Sequence, residues 1–239
     1  MSKSKLKYKR VLLKLSGEVF KGDQESGVDG DKLMEIAKEV KALQKLGCEL
    51  GIVIGGGNFW RFRDSNHLKV DRVVLDSMGM MATCMNAIIF EAALKSIGCK
   101  VRAVSKFPCE MALGNYVPKL AQQYMDDGEI VIFAGGTGNP YFTTDSAAAL
   151  RALEMNCDVL LKATKVDYVY DKDPVKYKDA KKYLKLDYEE ILDKQLRVMD
   201  LTCASLCMDG GLPMLVFNLD KKGSIEKAVK GVKIGTVIN

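Results

Sequence analysis

The sequence predicts an α/β fold, a three-layer α/β/α sandwich with a mainly parallel central sheet, and two observations carry that expectation. Short β-branched, apolar runs recur along the chain, and longer segments with apolar residues at helical spacing lie between them. Continuous apolar runs suit strands covered on both faces, and strand–helix alternation places a parallel sheet between two helical layers. The predicted strands are 10–15, 50–54, 100–104, 130–134, 159–163 and 214–218; the predicted helices are 31–46, 71–97, 119–125, 146–155 and 199–209.

The 239 residues suffice for one large α/β domain with a sizeable core. Five prolines, no low-complexity linker and no repeat at a solenoid period argue for a single domain over 1–239, or two closely packed lobes. No apolar run approaches the ~20 residues that span a bilayer, so the sequence predicts no membrane association. The basic N-terminus meets only the short apolar stretch Val11–Leu13, and no secretory signal follows. Seven scattered cysteines read as reduced, buried thiols, and a cytoplasmic location is expected. With His67 as the single histidine, no zinc-type cluster is expected. The net charge of +5 is mild, and lysines alternate with Asp and Tyr through Lys172–Lys185. That pattern fits a solvated face rather than a nucleic-acid stripe, while the excess favours an anionic small molecule.

The strongest chemical signal is that strand after strand ends in a turn suited to phosphate, where open α/β sheets bind ligands. The first ends Lys14-Leu15-Ser16-Gly17, with a cation and close backbone N–H groups. The second ends Gly55-Gly56-Gly57-Asn58, with Arg61 just beyond, and successive glycines can form an anion nest. The strand from Ile130 runs into Gly135-Gly136-Thr137-Gly138-Asn139-Pro140-Tyr141-Phe142-Thr143-Thr144-Asp145, rich in turn formers and hydroxyls. The strand from Val159 ends Lys162-Ala163-Thr164-Lys165, followed by Tyr168 and Tyr170 for contact with a flat ring. Four such tips suggest one long anionic ligand or two neighbours. No glycine precedes a lysine directly and no glycines fall at G-x-G-x-x-G spacing, so the P-loop and standard Rossmann readings lose support.

Six stretches, namely 8–18, 53–58, 71–80, 134–148, 161–167 and 197–201, carry a specific likeness. Through them the chain resembles, along nearly its whole length, the bacterial UMP kinases of the amino acid kinase family. The resemblance implies ATP + UMP giving ADP + UDP in pyrimidine nucleotide biosynthesis, with Mg2+ carried on ATP and a homohexamer built as a trimer of dimers. It places the ATP part mainly C-terminal and the UMP part in the N-terminal and central chain. By position it assigns Lys14, Leu15, Ser16, Gly17, Gly57 and Arg61 to ATP phosphates, and Thr164, Tyr170 and Asp173 to the nucleoside of ATP. UMP falls to Gly56, Asp76 and Thr137, Gly138, Asn139, Pro140, Tyr141, Phe142, Thr143 and Thr144, with Asp76 near the ribose. Relatives of this kind are allosteric; Lys21–Gly27 here is more acidic and polar than the corresponding loop of GTP-activated members.

The phosphate of UMP is already a nucleophile near neutral pH, so catalysis reduces to positioning and charge neutralisation. Lys14, Arg61 and Lys162 are the expected stabilisers, with Asp145 orienting a lysine or Mg2+ rather than taking a proton. The plainer alternatives are a surface lysine at Lys14, a helix cap at Asp145, and Arg63 in place of Arg61. Met78, Met80, Met81 and Met85 read as packing, in the core or at a dimer face. Two other functions remain open on the same scaffold: a kinase acting on a carboxylate or carbamate, and a catalytically idle nucleotide sensor.

Overall fold

The computed structural model describes residues 6–61, 69–194, 196 and 198–239, so Arg63, His67 and Arg197 lie outside the described residues. Along the chain run β1 (Arg10–Leu15), α1 (Gly30–Lys45), β2 (Glu49–Ile54), α2 (Arg72–Ser96), β3 (Val101–Ser105), β4 (Gly114–Asn115), α3 (Pro118–Asp126) and β5 (Ile130–Ala134). There follow α4 (Thr144–Glu154), β6 (Val159–Thr164), β7 (Val169–Tyr170), β8 (Lys182–Tyr183), β9 (Lys185–Leu186), α5 (Tyr188–Asp193), α6 (Leu201–Asp209), β10 (Met214–Asn218), α7 (Ser224–Val229) and β11 (Thr236–Ile238).

Among the described residues nine strands form one sheet in the order β4-β3-β5-β2-β1-β6-β10-β11-β9, parallel except where β10 meets β11. β7 and β8 make a separate antiparallel ribbon. The strand side-chain period of two splits the core into two layers. Val11, Leu13 and Leu15 of β1 pack with α1, α2 and α7, while Leu12 packs on the side of α3, α4, α5 and α6. The helix starts are written in short polar side chains. Asp29 accepts from Lys32 N at 2.9 Å, Asp71 from Val73 N at 2.8 Å, and Asp200 from Cys203 N at 2.9 Å.

The six expected strands and five expected helices are all present, with ends displaced by at most two residues. Outside that expectation lie β4, β7, β8, β9, β11, α5 and α7. Each is six residues or shorter, too brief for a periodic pattern to show in sequence. By length and composition α2 could cross a bilayer, contrary to the sequence expectation. Here Cys84, Ala87, Phe90 and Leu94 bury it against the sheet and α1. All seven cysteines are free, five of them buried and Cys109 and Cys157 half-buried.

Two features of the fold position the site. In the sheet β5, β2, β1 and β6 are successive neighbours, so the four tips, three of them bearing glycine, converge at one edge. On α4, Ala147, Ala148, Ala149 and Ala152 are buried, and these small side chains let that helix seat close over β1, β2 and β6. Its first turn therefore arrives at the strand tips.

Candidate active site

At that edge two lysines stand side by side. Lys14 and Lys162 are register partners on β1 and β6 and share the parity of Leu12 and Leu160, so both face α4. Between them lies Asp145, whose Oδ1 is 2.7 Å from Lys14 Nζ while Oδ2 accepts from Lys162 Nζ. With side-chain exposures of 12% for Lys14, 16% for Asp145 and 10% for Lys162, the group is largely withdrawn from water. Burial pushes the Asp145 carboxyl up, but the Lys14 and Lys162 ammoniums outweigh it and hold the group well below the usual carboxylate range. Burial pulls the Lys162 ammonium down from its ordinary value, Lys14 adds to that pull, and Asp145 opposes it. Asp145 is thus a carboxylate held between two cations.

Asp145 is not the helix cap. Thr143 takes that role, its Oγ1 accepting from Asp145 N at 3.0 Å and Ser146 N at 3.3 Å, so α4 begins at Thr144. The carboxylate is left free to point toward the strands. Asp200 braces the same turn: Ser146 Oγ donates to its Oδ1 at 2.7 Å, Thr143 Oγ1 donates to Oδ2, and Oδ1 also caps α6.

The glycines of the first two tips are required by backbone proximity. A Cβ at Gly17 would lie 2.3 Å from the Gly55 carbonyl oxygen, and one at Gly56 would lie 2.7 Å from Ala82 Cβ on α2. Asn86 donates from Nδ2 to Gly55 O at 2.8 Å and exchanges hydrogen bonds with Asn58, which also holds Gly27 O at 2.8 Å. Ser16 caps the following 3-10 turn through Glu18 N. Leu15 has its side chain wholly in the core on the α1 side, so only its backbone belongs to the tip. Arg61 donates to Gly57 O at 2.9 Å and pairs with Glu18 at 2.8 Å, which stations its guanidinium beside the second glycine turn.

A cavity of about 300 Å3 opens between α2 and the turn after β5. Its walls include Gly56, Asp76, Thr137, Asn139, Tyr141, Phe142, Thr143 and Thr144, all expected there, and also Trp60, Arg72 and Thr83, which were not. Asp76 Oδ2 accepts from Tyr141 N at 2.7 Å, and Arg72 lies 3.4 Å from Asp76 and 4.5 Å over the Tyr141 ring. Tyr141 holds φ at 72°, a strained setting for a side-chain-bearing residue, and Asp76 is the partner that retains it. Thr83 on α2 accepts from Gly135 N at 2.8 Å, securing the start of the turn. Gly138 and Pro140 belong to the same turn without lining the cavity.

A second cavity of about 590 Å3 lies beyond the β6 tip and includes Thr164, Tyr168, Tyr170, Lys172 and Asp173. Thr164 Oγ1 is engaged with Val166 O and Phe217 O, and Asp173 Oδ1 accepts from Val175 N. The lysine pair stands on β1 and β6: β6 leads into the second cavity, and β1 separates it from β2, whose tip gives Gly56 to the first.

Residues 9–218 match the amino acid kinase family. The chain belongs to the amino acid kinase family. Among solved structures, a UMP kinase from Bacillus anthracis is 38% identical, with 97% of this chain and 96% of that one covered and a TM-score of 0.94. A UMP kinase from Ureaplasma parvum is 33% identical over 97% of this chain and 98% of that one, with a TM-score of 0.91. A uridylate kinase from Archaeoglobus fulgidus is 30% identical over 96% and 99%, with a TM-score of 0.74.

For this member of the amino acid kinase family, sequence reasoning missed the residues that act from behind the site. Glu18, Thr83, Asn86, Arg151 and Asp200 are examples. Their readable trace is a polar residue on the buried side of an apolar helix, as in Thr83 and Asn86, or an Asp just before a helix, as in Asp200.

Proposed function

We propose that this chain transfers the γ-phosphoryl group of ATP to UMP, giving ADP and UDP. The observation that carries the reading is the acceptor cavity bounded by Asp76 and the 137–144 turn beside the Lys14–Asp145–Lys162 cluster. Likeness to UMP kinases over nearly the full chain supports it. An oxygen of the UMP phosphate bonds to the γ-phosphorus as the bond from that phosphorus to the ADP oxygen breaks, and no proton has to move. Lys14 and Lys162 neutralise charge on the passing phosphoryl group, and Asp145 holds both ammoniums in place. Arg61, Gly57, Ser16, Gly17 and the Leu15 backbone receive the donor phosphates; Thr164, Tyr170 and Asp173 hold the nucleoside of ATP. UMP occupies the cavity along Gly56, Asp76 and the 137–144 turn.

A magnesium ion would arrive on the triphosphate, with few direct ligands from the protein. Among the described residues no three Asp, Glu, His or Cys side chains converge, and Asp145 is committed to lysines. Bound there, Mg2+ would supply charge neutralisation to the ATP phosphates. The reaction belongs to pyrimidine nucleotide biosynthesis in the cytoplasm.

The test is ADP formation from Mg-ATP with UMP, CMP, glutamate, aspartate and carbamate offered separately. Turnover with UMP far above the other acceptors is expected; preference for a small acid, or no turnover at all, defeats the reading.

We propose that α2 carries one interface of the assembly. Val74, Met78, Met81, Met85 and Ile88 are exposed at spacings of four, three, four and three residues, a heptad seam matched to an identical helix. A second copy is the partner we propose for that seam, and three such dimers joined through a further, different interface would make the homohexamer. Light scattering is expected to give a multimeric mass that falls in Met81→Glu; an unchanged mass removes α2 from the interface.

A further inference from the structure

Arg151 lies on α4, six residues after Asp145, with 3% of its side chain exposed. It is held on three sides. Nη1 pairs with Glu154 Oε2 at 2.5 Å, the guanidinium lies 4.1 Å over the Tyr116 ring, and the Tyr116 hydroxyl donates to the same Glu154 oxygen at 2.6 Å. The remaining arm, Nη2, donates to the carbonyl of Gly136 at 3.3 Å. Burying a guanidinium is costly, and an apolar side chain would fill space between helix and sheet without that cost. The charge therefore needs a purpose beyond packing.

Gly136 supplies one. It belongs to a turn in which Gly135, Gly136 and Gly138 hold φ of 72°, 58° and 81°, and glycines of this kind leave a backbone free to adopt many other settings. Gly136 and Thr137 both line the acceptor cavity. Across the trans peptide that joins them, the Gly136 carbonyl and the Thr137 N–H point in opposite directions. A cation fixed behind the turn and bonded to the carbonyl keeps the N–H turned away from α4. Thr83 holds the preceding amide, Gly135 N, from the α2 side, so the two residues clamp the turn from opposite layers.

We infer that Arg151 is a positioning residue for the acceptor nucleotide, fixing the Gly136–Thr137 peptide in the setting that receives UMP. The inference rests on the UMP kinase reading. Lysine at this position retains the charge but has no planar fork to hold Glu154 and Gly136 together.

Steady-state kinetics of the full chain with UMP and Mg-ATP varied in turn provide the test, with wild-type turnover reporting on the reaction and the variant ratio reporting on Arg151. Arg151→Lys is expected to raise KM for UMP about tenfold with KM for ATP within about twofold. Glu154→Gln, at a position 28% exposed, loosens the same guanidinium with less demand on folding and is expected to give the same UMP-selective shift at smaller amplitude. Equal rises in both KM values, or a lowered melting temperature with both KM values unchanged, in whichever variant folds, overturns the inference.

Discussion

Lys14→Ala is expected to lower kcat by about 10²–10³-fold, the range for losing one preorganised donor to developing charge. The helical CD signal should stay intact. Lys14 is a charge inside an otherwise apolar strand, and its counter-ion Asp145 keeps Lys162 as a partner when Lys14 is removed. The loss should therefore appear in turnover more than in folding. Saturating Mg-ATP and UMP isolate that effect, because KM changes then drop out. A variant with near-normal turnover would falsify the assignment of Lys14 to the transferring phosphoryl group.

Asp145→Asn is expected to act on both rate and stability. Two ammoniums held by one carboxylate become two neighbouring cations in a poorly hydrated place, and breaking such a buried arrangement costs about 3 kcal/mol. Misplaced lysines then lower kcat by about 100-fold. The pH dependence separates this from loss of a cap, since Thr143 caps α4 in either protein. The folded pKa of Asp145 is depressed, so its contribution is complete above the unfolded carboxyl value of about 3.9 and disappears as pH falls through the folded value. Urea midpoints should differ between wild type and variant at pH 7, and the gap should narrow below about pH 4. A gap that stays constant with pH, or unchanged kcat, assigns Asp145 a role other than holding the lysines.

Much of this architecture is legible before folding because it depends on local pattern. β1, β5 and β10 show their limits in runs of β-branched and aliphatic residues, and the three matched expectation residue for residue. The glycine turns are visible as composition, and Lys14 announces itself as a charge in an apolar strand. The cap of α4 was harder to read. Thr143, Thr144 and Asp145 are each acceptable near a helix start, and the choice among them rests on where the carboxylate finds two ammoniums.

The sequence alone determined the alternation of strands and helices, the turn chemistry at four tips, and the charge of Lys14 within an apolar run, since each is a property of neighbouring residues. Only the tertiary structure decided that Lys14 and Lys162, 148 positions apart, are register partners. It alone set Asp145 between them and lodged Arg151, Thr83 and Asn86 behind the turns. Those pairings come from sheet order and helix seating, which arise from burial of apolar surface summed over the whole chain and leave no mark at any single position.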